Sequence, residues 1–416
     1  MVKRLVGQVA LVLSGCGIAF LLVEMGLRLF GISYPYFYIP DELTGFSLKP
    51  GAEGLWHKEG EAYITINRAG LRDREHNLEK PAGTFRIALL GDSYTEALQV
   101  PMEQSYGARL EQELPGCPAL VGRQVEAVNF GVSGYSTAQE LLVLRHKVPP
   151  YHPDLVLLAF FTENDIRGNS RVLSSDGMSP YFVFRDGRLV LENSFRRSIE
   201  FRLQQLPLSS EAFEISSVLQ VVREAKYRLK AYLKKAAYRQ RMQDPGVPDI
   251  DLDSAVYLDP TDPVWDNAWT ITEELILLMK REAEDGGSRF LLVSLSNPDQ
   301  VHPELQHRQT LARQLGVSDL FYPDRRLQAL AQREGIELLS LAETLAVYAE
   351  QHGAFLHGFQ NTRMGEGHWN ATAHQLAGHL MSERICALLS SPEPVVPEGP
   401  RHSIASDRIK PRGSQR

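Results

Sequence analysis

Apolar residues along the chain fall into short blocks set between polar and turn residues. Five of these blocks, Phe85–Leu90, Val125–Asn129, Leu155–Phe160, Phe290–Leu295 and Ile336–Leu339, have the length and flanks of strands buried in a sheet. Helical periodicity occupies the intervals at Ser105–Leu114, Thr137–His146, Thr270–Glu284 and Arg325–Arg333. It returns at Ala371–Leu389, where Leu376, Leu380, Ile385 and Leu388 share an apolar face. Strand alternating with helix predicts a parallel sheet covered by helices on both faces.

Four stretches depart from that alternation. Leu5–Val23 is a run without a charge, preceded by Lys3 and Arg4. As a helix it spans about 28 Å, one hydrocarbon core, and the basic flank predicts a cytoplasmic N-terminus. A retained signal anchor, a cleaved signal peptide and a lipoprotein signal ending at Cys16 in "LSGC" are the three readings, and all place the body outside the cytosol. Residues 33–84 begin with the aromatic, Pro-containing "GISYPYFYIP" and read as a juxtamembrane linker, with "YITINRAGLRDRE" as an edge hairpin or lead-in arm. Residues 166–263 are too long for a crossover and are expected to be an inserted helical cap over the site. Within them Glu214–Gln243 is helical and basic: Val218, Val221, Val222, Ala225, Leu229 and Tyr232 lie on one face, and Lys226, Lys230, Lys234 and Lys235 beside or opposite it. That pattern suits either a helix packed on the body with a solvated face or a contact with a membrane surface or anionic polymer. "DPGVPDIDLD" then reads as a loop, and residues 391–416, Pro-rich and polar, as a disordered tail. The expected organisation is therefore 1–32 anchor, 33–84 arm, 85–390 α/β domain and 391–416 tail.

Composition adds little to this picture. Apolar residues are 43% and charged residues 23%, an ordinary globular balance, and the net charge of −7 gives no reason to expect nucleic acid as a partner. Cys16, Cys117 and Cys386, odd in number and widely spaced, make neither a disulfide framework nor a zinc motif. His368, His374 and His379 invite a metal reading, but the last two fall on different faces of a helix with no cysteine near. No metal and no cofactor is expected.

Ligands of an open parallel sheet bind beyond the carboxyl ends of its strands. The segments in that position are Gly91-Asp92-Ser93-Tyr94-Thr95, "NFGVSGYST" (129–137) and "FTENDIRGN" (161–169), with "GEGHWNATAH" (365–374) following the fifth strand. They supply a hydroxyl, glycine-flanked amides, a carboxamide and an imidazole, which is the inventory of a hydrolase. Taken alone, Ser93 suits an N-cap, Asn164 an Asx turn and Gly134 an ordinary turn.

The four blocks together, in this order, resemble the SGNH (GDSL-type) hydrolases. The match runs from about residue 63 to 388. It takes in "NRAGLR" and "YPDRRLQALAQREGIELLSL", and "VEMGLRLFG" is similar to a membrane-anchored bacterial subgroup. The resemblance implies a flavodoxin-like three-layer sandwich with a five-stranded parallel sheet. It implies Ser93 as nucleophile, His368 as its base, and an oxyanion hole formed by the Ser93 amide, the Gly134 amide and the Asn164 side chain. Asp92 and Asp165 are expected to tie the block loops to nearby backbone amides. The family's usual aspartate, three positions before the histidine, is replaced by Gly365. Glu366 stands two positions before and becomes the candidate orienting acid; otherwise the site is a Ser-His dyad or draws its acid from elsewhere. Arg68 and Arg72 in the arm are candidate contacts for an anionic substrate. The implied activity is an extracytoplasmic acyl-ester hydrolase, with envelope polysaccharide as a substrate class by analogy. The rivals are an O-acyltransferase with the same acyl-enzyme and an inactive carbohydrate-binding or scaffold protein.

Overall fold

The structure is a computed structural model that describes residues 2–174, 177–206, 216–241 and 254–390. The expected loop at Asp244–Asp253 and the tail at 391–416 lie outside these residues. Five strands, β5 (Thr84–Gly91), β6 (Gln124–Asn129), β7 (Leu155–Phe160), β10 (Arg289–Ser294) and β11 (Leu338–Ser340), form one parallel sheet in the order β11-β10-β7-β5-β6. The chain leaves β5 for its neighbour on one side, then returns past it to build the other side. This is the flavodoxin-like order, and the reversal falls at the end of β5. The register aligns Leu89 with Asn129, Gly91 with Ala159 and Phe160 with Ser294, so the carboxyl ends share one rim.

Side chains alternate between two cores. Ala88, Leu90, Val156 and Leu158 face one way and pack with helices Thr137–His146, Pro263–Asp285 and Tyr322–Glu334. Ile87, Leu89, Leu157 and Leu291 face the other way, toward helices Tyr106–Glu113, Ala342–His352 and Ala371–Ser390. The strands are apolar on both faces because both faces are covered. The edge strand lies two residues later than its apolar run suggested, since Ile336 is held by the turn after the preceding helix.

Two segments differ from the sequence reading. Residues 33–84 are more than a linker. They form hairpins β1/β2 (Tyr38–Asp41, Gly45–Leu48) and β3/β4 (Glu53–Trp56, Ala62–Thr65), and Phe37, Leu48, Ile64 and Ile66 are buried in the first core. Arg72 is also buried, not available to substrate: its guanidinium donates to the carbonyls of Glu96 (3.0 Å) and Val100 (2.5 Å) and so braces the turn after β5. Arg68 is exposed beside Glu75. The second difference is a disulfide between Cys117 and Cys386, 269 residues apart, which fastens the final helix to the segment before β6. Spacing conceals this bond because only the fold brings the two ends together.

The inserted region holds a hairpin, β8/β9 (Tyr181–Arg185, Arg188–Glu192), as well as helices, including the long Ser217–Arg241. At the N-terminus the helix Val2–Leu29 contains one segment, Arg4–Leu29, long and apolar enough to cross a membrane.

Candidate active site

The end of β5 decides the local geometry of Ser93. Asp92, not Ser93, is the N-cap of the short helix Ser93–Glu96: its carboxylate accepts the Tyr94 N–H at 3.0 Å. Ser93 is thereby the first helical residue, its hydroxyl released from capping and turned to the rim. The Nε2 of His368 lies 2.9 Å from Ser93 Oγ.

The other ring nitrogen meets a residue that the sequence reading did not name. Glu59, in the loop between β3 and β4, accepts from His368 Nδ1 through Oε2 at 2.5 Å and from the His368 backbone N–H through Oε1 at 2.6 Å. Glu366, the acid expected from its proximity in sequence, is exposed and pairs instead with Arg363 at 2.7 Å. The intervening Gly367 explains the difference. Its φ is +75, and a Cβ built there would lie 2.0 Å from Glu59 Oε1. The loop turns its side-chain-free face to the arm, so Glu59 fits beneath His368 while Glu366 points to solvent.

A second layer holds that loop. His357 is buried, and its Nδ1 donates to the Gly367 carbonyl at 2.8 Å. Tyr94 Oη donates to the same carbonyl at 3.2 Å, and Trp369 Nε1 donates to Ser296 Oγ at 2.9 Å. Trp369 is therefore core, not a surface platform. His374 is also buried, against Tyr106 and Trp369, while His379 pairs with Glu113 on the surface. Among the described residues no group of three or more metal-ligating side chains comes together.

Asn164 opens the helix after β7 and donates through Nδ2 to Asp92 Oδ2 at 2.7 Å. The Asp92 carboxylate thus fixes the carboxamide as well as capping the helix. Asp165 accepts the Phe161 N–H at 2.8 Å and ties down the same turn. Gly134 has φ +82, a conformation that favours glycine; a Cβ there would make only ordinary contact, 3.7 Å from Phe46 Cζ, so conformation is the local requirement and not space. The Ser93 and Gly134 N–H groups make no hydrogen bond to another described residue. Ser93, Gly134, Asn164, Glu59 and His368 line one open cleft of about 620 Å³, together with Tyr38, Trp56, Lys58, Glu224 and Arg228.

The electrostatics follow from burial and pairing. Burial works against a charged His368, but the hydrogen bond and charge of Glu59 outweigh it and hold the imidazole above its ordinary 6.5. Burial pushes the Glu59 carboxyl up, and its bonds to His368 bring it below the usual range. Burial drives His357 down to about 3, so it stays neutral. Burial raises the Asp92 carboxyl, while Tyr94 and Asn164 pull it back.

The chain resembles the SGNH hydrolases. Its four blocks, far apart in sequence, converge on this cleft. No family model and no curated protein matches the chain. Among solved structures it is similar to the acetyl xylan esterase AlAXEase (11% identity, 72% of this chain and 100% of that one, TM-score 0.37). It is also similar to TesA (14%, 73% and 99%, 0.33) and to the lipase/acylhydrolase from Enterococcus faecalis (14%, 74% and 100%, 0.35).

Proposed function

We propose that this protein is a serine acyl-ester hydrolase whose catalytic unit is Ser93–His368–Glu59. The observation that carries this reading is the unbroken line from the Ser93 hydroxyl through both nitrogens of His368 to the Glu59 carboxylate. A carboxylate accepts only, so His368 Nδ1 keeps its proton and Nε2 is left as the base facing Ser93. As Ser93 Oγ bonds to the ester carbonyl carbon, its proton passes to Nε2. The carbonyl oxygen takes up the displaced electron pair and is met by the Ser93 and Gly134 N–H groups and the Asn164 carboxamide. The carbon–oxygen bond to the alcohol then breaks, His368 returns the proton to the departing oxygen, and water activated by the same nitrogen releases the acid and restores Ser93.

In this reading Arg4–Leu29 is a retained anchor and the body lies outside the cytoplasm. The Cys117–Cys386 disulfide supports an oxidising compartment. Glu224 and Arg228 make the insertion one wall of the cleft, and the charged and amide side chains around it, with the Tyr38 and Trp56 rings, favour a short acyl group on a hydroxylated alcohol such as an envelope polysaccharide. An acceptor hydroxyl in place of water would turn the same acyl-enzyme to transfer. The test is release of p-nitrophenol from p-nitrophenyl acetate by the full chain. Turnover abolished by S93A supports the reading, and turnover unchanged by S93A, or none by the folded wild type, refutes it.

A further inference from the structure

The wall of the cleft is built on the N-terminal helix. Glu24 is the first charged residue after the uncharged run Leu5–Val23. Its carboxylate accepts the N–H groups of Ser217 and Val218, each at 3.0 Å, and the Ser216 hydroxyl at 2.8 Å. It therefore satisfies the open end of helix Ser217–Arg241 from outside that helix. The next turns are fixed to the chain just beyond the apolar helix: Tyr34 N–H donates to Gln220 at 2.7 Å, and Arg223 donates to the Tyr34 carbonyl at 2.9 Å with its guanidinium 4.2 Å from the Tyr36 ring. One turn further, Glu224 pairs with Lys58, and Glu224, Arg228 and Lys58 all line the cleft.

Distances along a helix are fixed at 1.5 Å per residue, so Glu224 lies about 10 Å and Arg228 about 17 Å from the turn that Glu24 holds. With the span of the Glu24 side chain added, the cleft wall stands within a few helical turns of the end of the apolar run. Resting on the hydrolase reading and on Arg4–Leu29 as an anchor, we propose that the substrate is borne by the bilayer: a short acyl ester on the polar head of a lipid-linked molecule, presented at the membrane surface. Among the described residues the cleft is lined by charged and amide side chains with Tyr38 and Trp56, and by no aliphatic one. It therefore takes the hydrophilic head, and the lipid tail stays in the membrane. A long-chain acyl ester of a phospholipid would need its chain drawn between Lys58, Glu224, Arg228 and Arg363.

The test uses the full chain reconstituted in phosphatidylcholine vesicles. A dye at R228C, in a C16S background, reports its distance to acceptor-labelled lipid headgroups by energy transfer. The proposal expects a separation of roughly 20 Å, the helix length above plus the label; more than about twice that overturns it, whatever the activity. Activity is then compared on an O-acetylated glycolipid in the same vesicles and on its soluble headgroup, freed of the lipid and bearing the same acetyl ester. At least tenfold faster deacetylation of the vesicle-borne ester supports the proposal. Equal or faster cleavage of the soluble ester overturns it and leaves the hydrolase reading standing. If S93A fails to abolish turnover of either ester, the hydrolase reading itself is wrong, and this proposal falls with it.

Discussion

Replacing Glu59 by Gln probes the chemistry with little change of shape. The His368 backbone N–H is a donor and binds the side-chain oxygen at 2.6 Å, so in E59Q the amide oxygen keeps that place and the NH₂ group is left facing Nδ1. A donor opposite Nδ1 requires an acceptor there, which moves the ring proton to Nε2, against Ser93. Nε2 then has no lone pair for the serine proton. A triad forced into the wrong tautomer in this way loses about 10⁴ in kcat, so a fall of roughly 10³–10⁴ is expected in p-nitrophenyl acetate turnover, with KM little changed. The pH profile carries the sign. Activity needs neutral His368 and in the wild type rises with pH through a value above 6.5, because Glu59 holds the imidazole up. Without that charge, the residual activity of E59Q has its rising limb at lower pH. Stability runs the other way: the His368 contribution is complete below 6.5 and is lost as pH rises through the raised folded value. The Glu59 contribution is present above 4.5 and is lost as pH falls through its lowered folded value. Activity of E59Q within tenfold of wild type, or an unshifted rising limb, would refute this reasoning.

Four further outcomes follow from the same geometry. E366Q keeps at least half of wild-type kcat, because its pair with Arg363 is exposed on both sides and is worth at most about 1 kcal/mol; steady-state kinetics beside E59Q decide between the two acids. G367A sets a Cβ against Glu59 Oε1 on a left-handed backbone and displaces the acid, lowering kcat by on the order of 10²-fold in the same assay while the disulfide-linked core still melts cooperatively by circular dichroism. N164A removes one oxyanion donor, about 3 kcal/mol of transition-state stabilisation, and lowers kcat/KM by roughly 10². C117S/C386S lowers unfolding stability by about 2–5 kcal/mol in denaturant titrations, and leaves the rate of the folded enzyme unchanged, since the bond lies outside the cleft.

The sheet was legible because its strands are buried on both faces and carry uninterrupted apolar runs: Leu155–Phe160 has the same limits in sequence and structure. The rim positions of Ser93, Gly134 and Asn164 were legible for the same reason, since each stands within a few residues of such a run, whereas His368 comes only after a further helix, Ala342–His352. Glu59 was not. It lies 309 residues from His368, in a loop joining two short strands with no apolar run of their own, and nothing in "HKEGE" distinguishes it from a solvated acid. Glu366 had the shorter separation, but spacing reports reach and not direction. Gly367, between Glu366 and His368, was the available clue that the loop reverses there. Asp92 and Asp165 meet backbone amides as expected, those of Tyr94 and Phe161; the burial of Arg72 was hidden because it depends on carbonyls that a neighbouring segment exposes. Cys117 and Cys386 meet only once helix Ala371–Ser390 lies across helix Tyr106–Glu113.

The most direct measurement is the covalent reaction of the full chain with a fluorophosphonate, read by mass spectrometry of its peptides. The account predicts one stoichiometric adduct, on Ser93, absent from S93A and strongly slowed in H368A and E59Q. No adduct on folded wild-type protein, or an adduct undiminished in S93A, would contradict it.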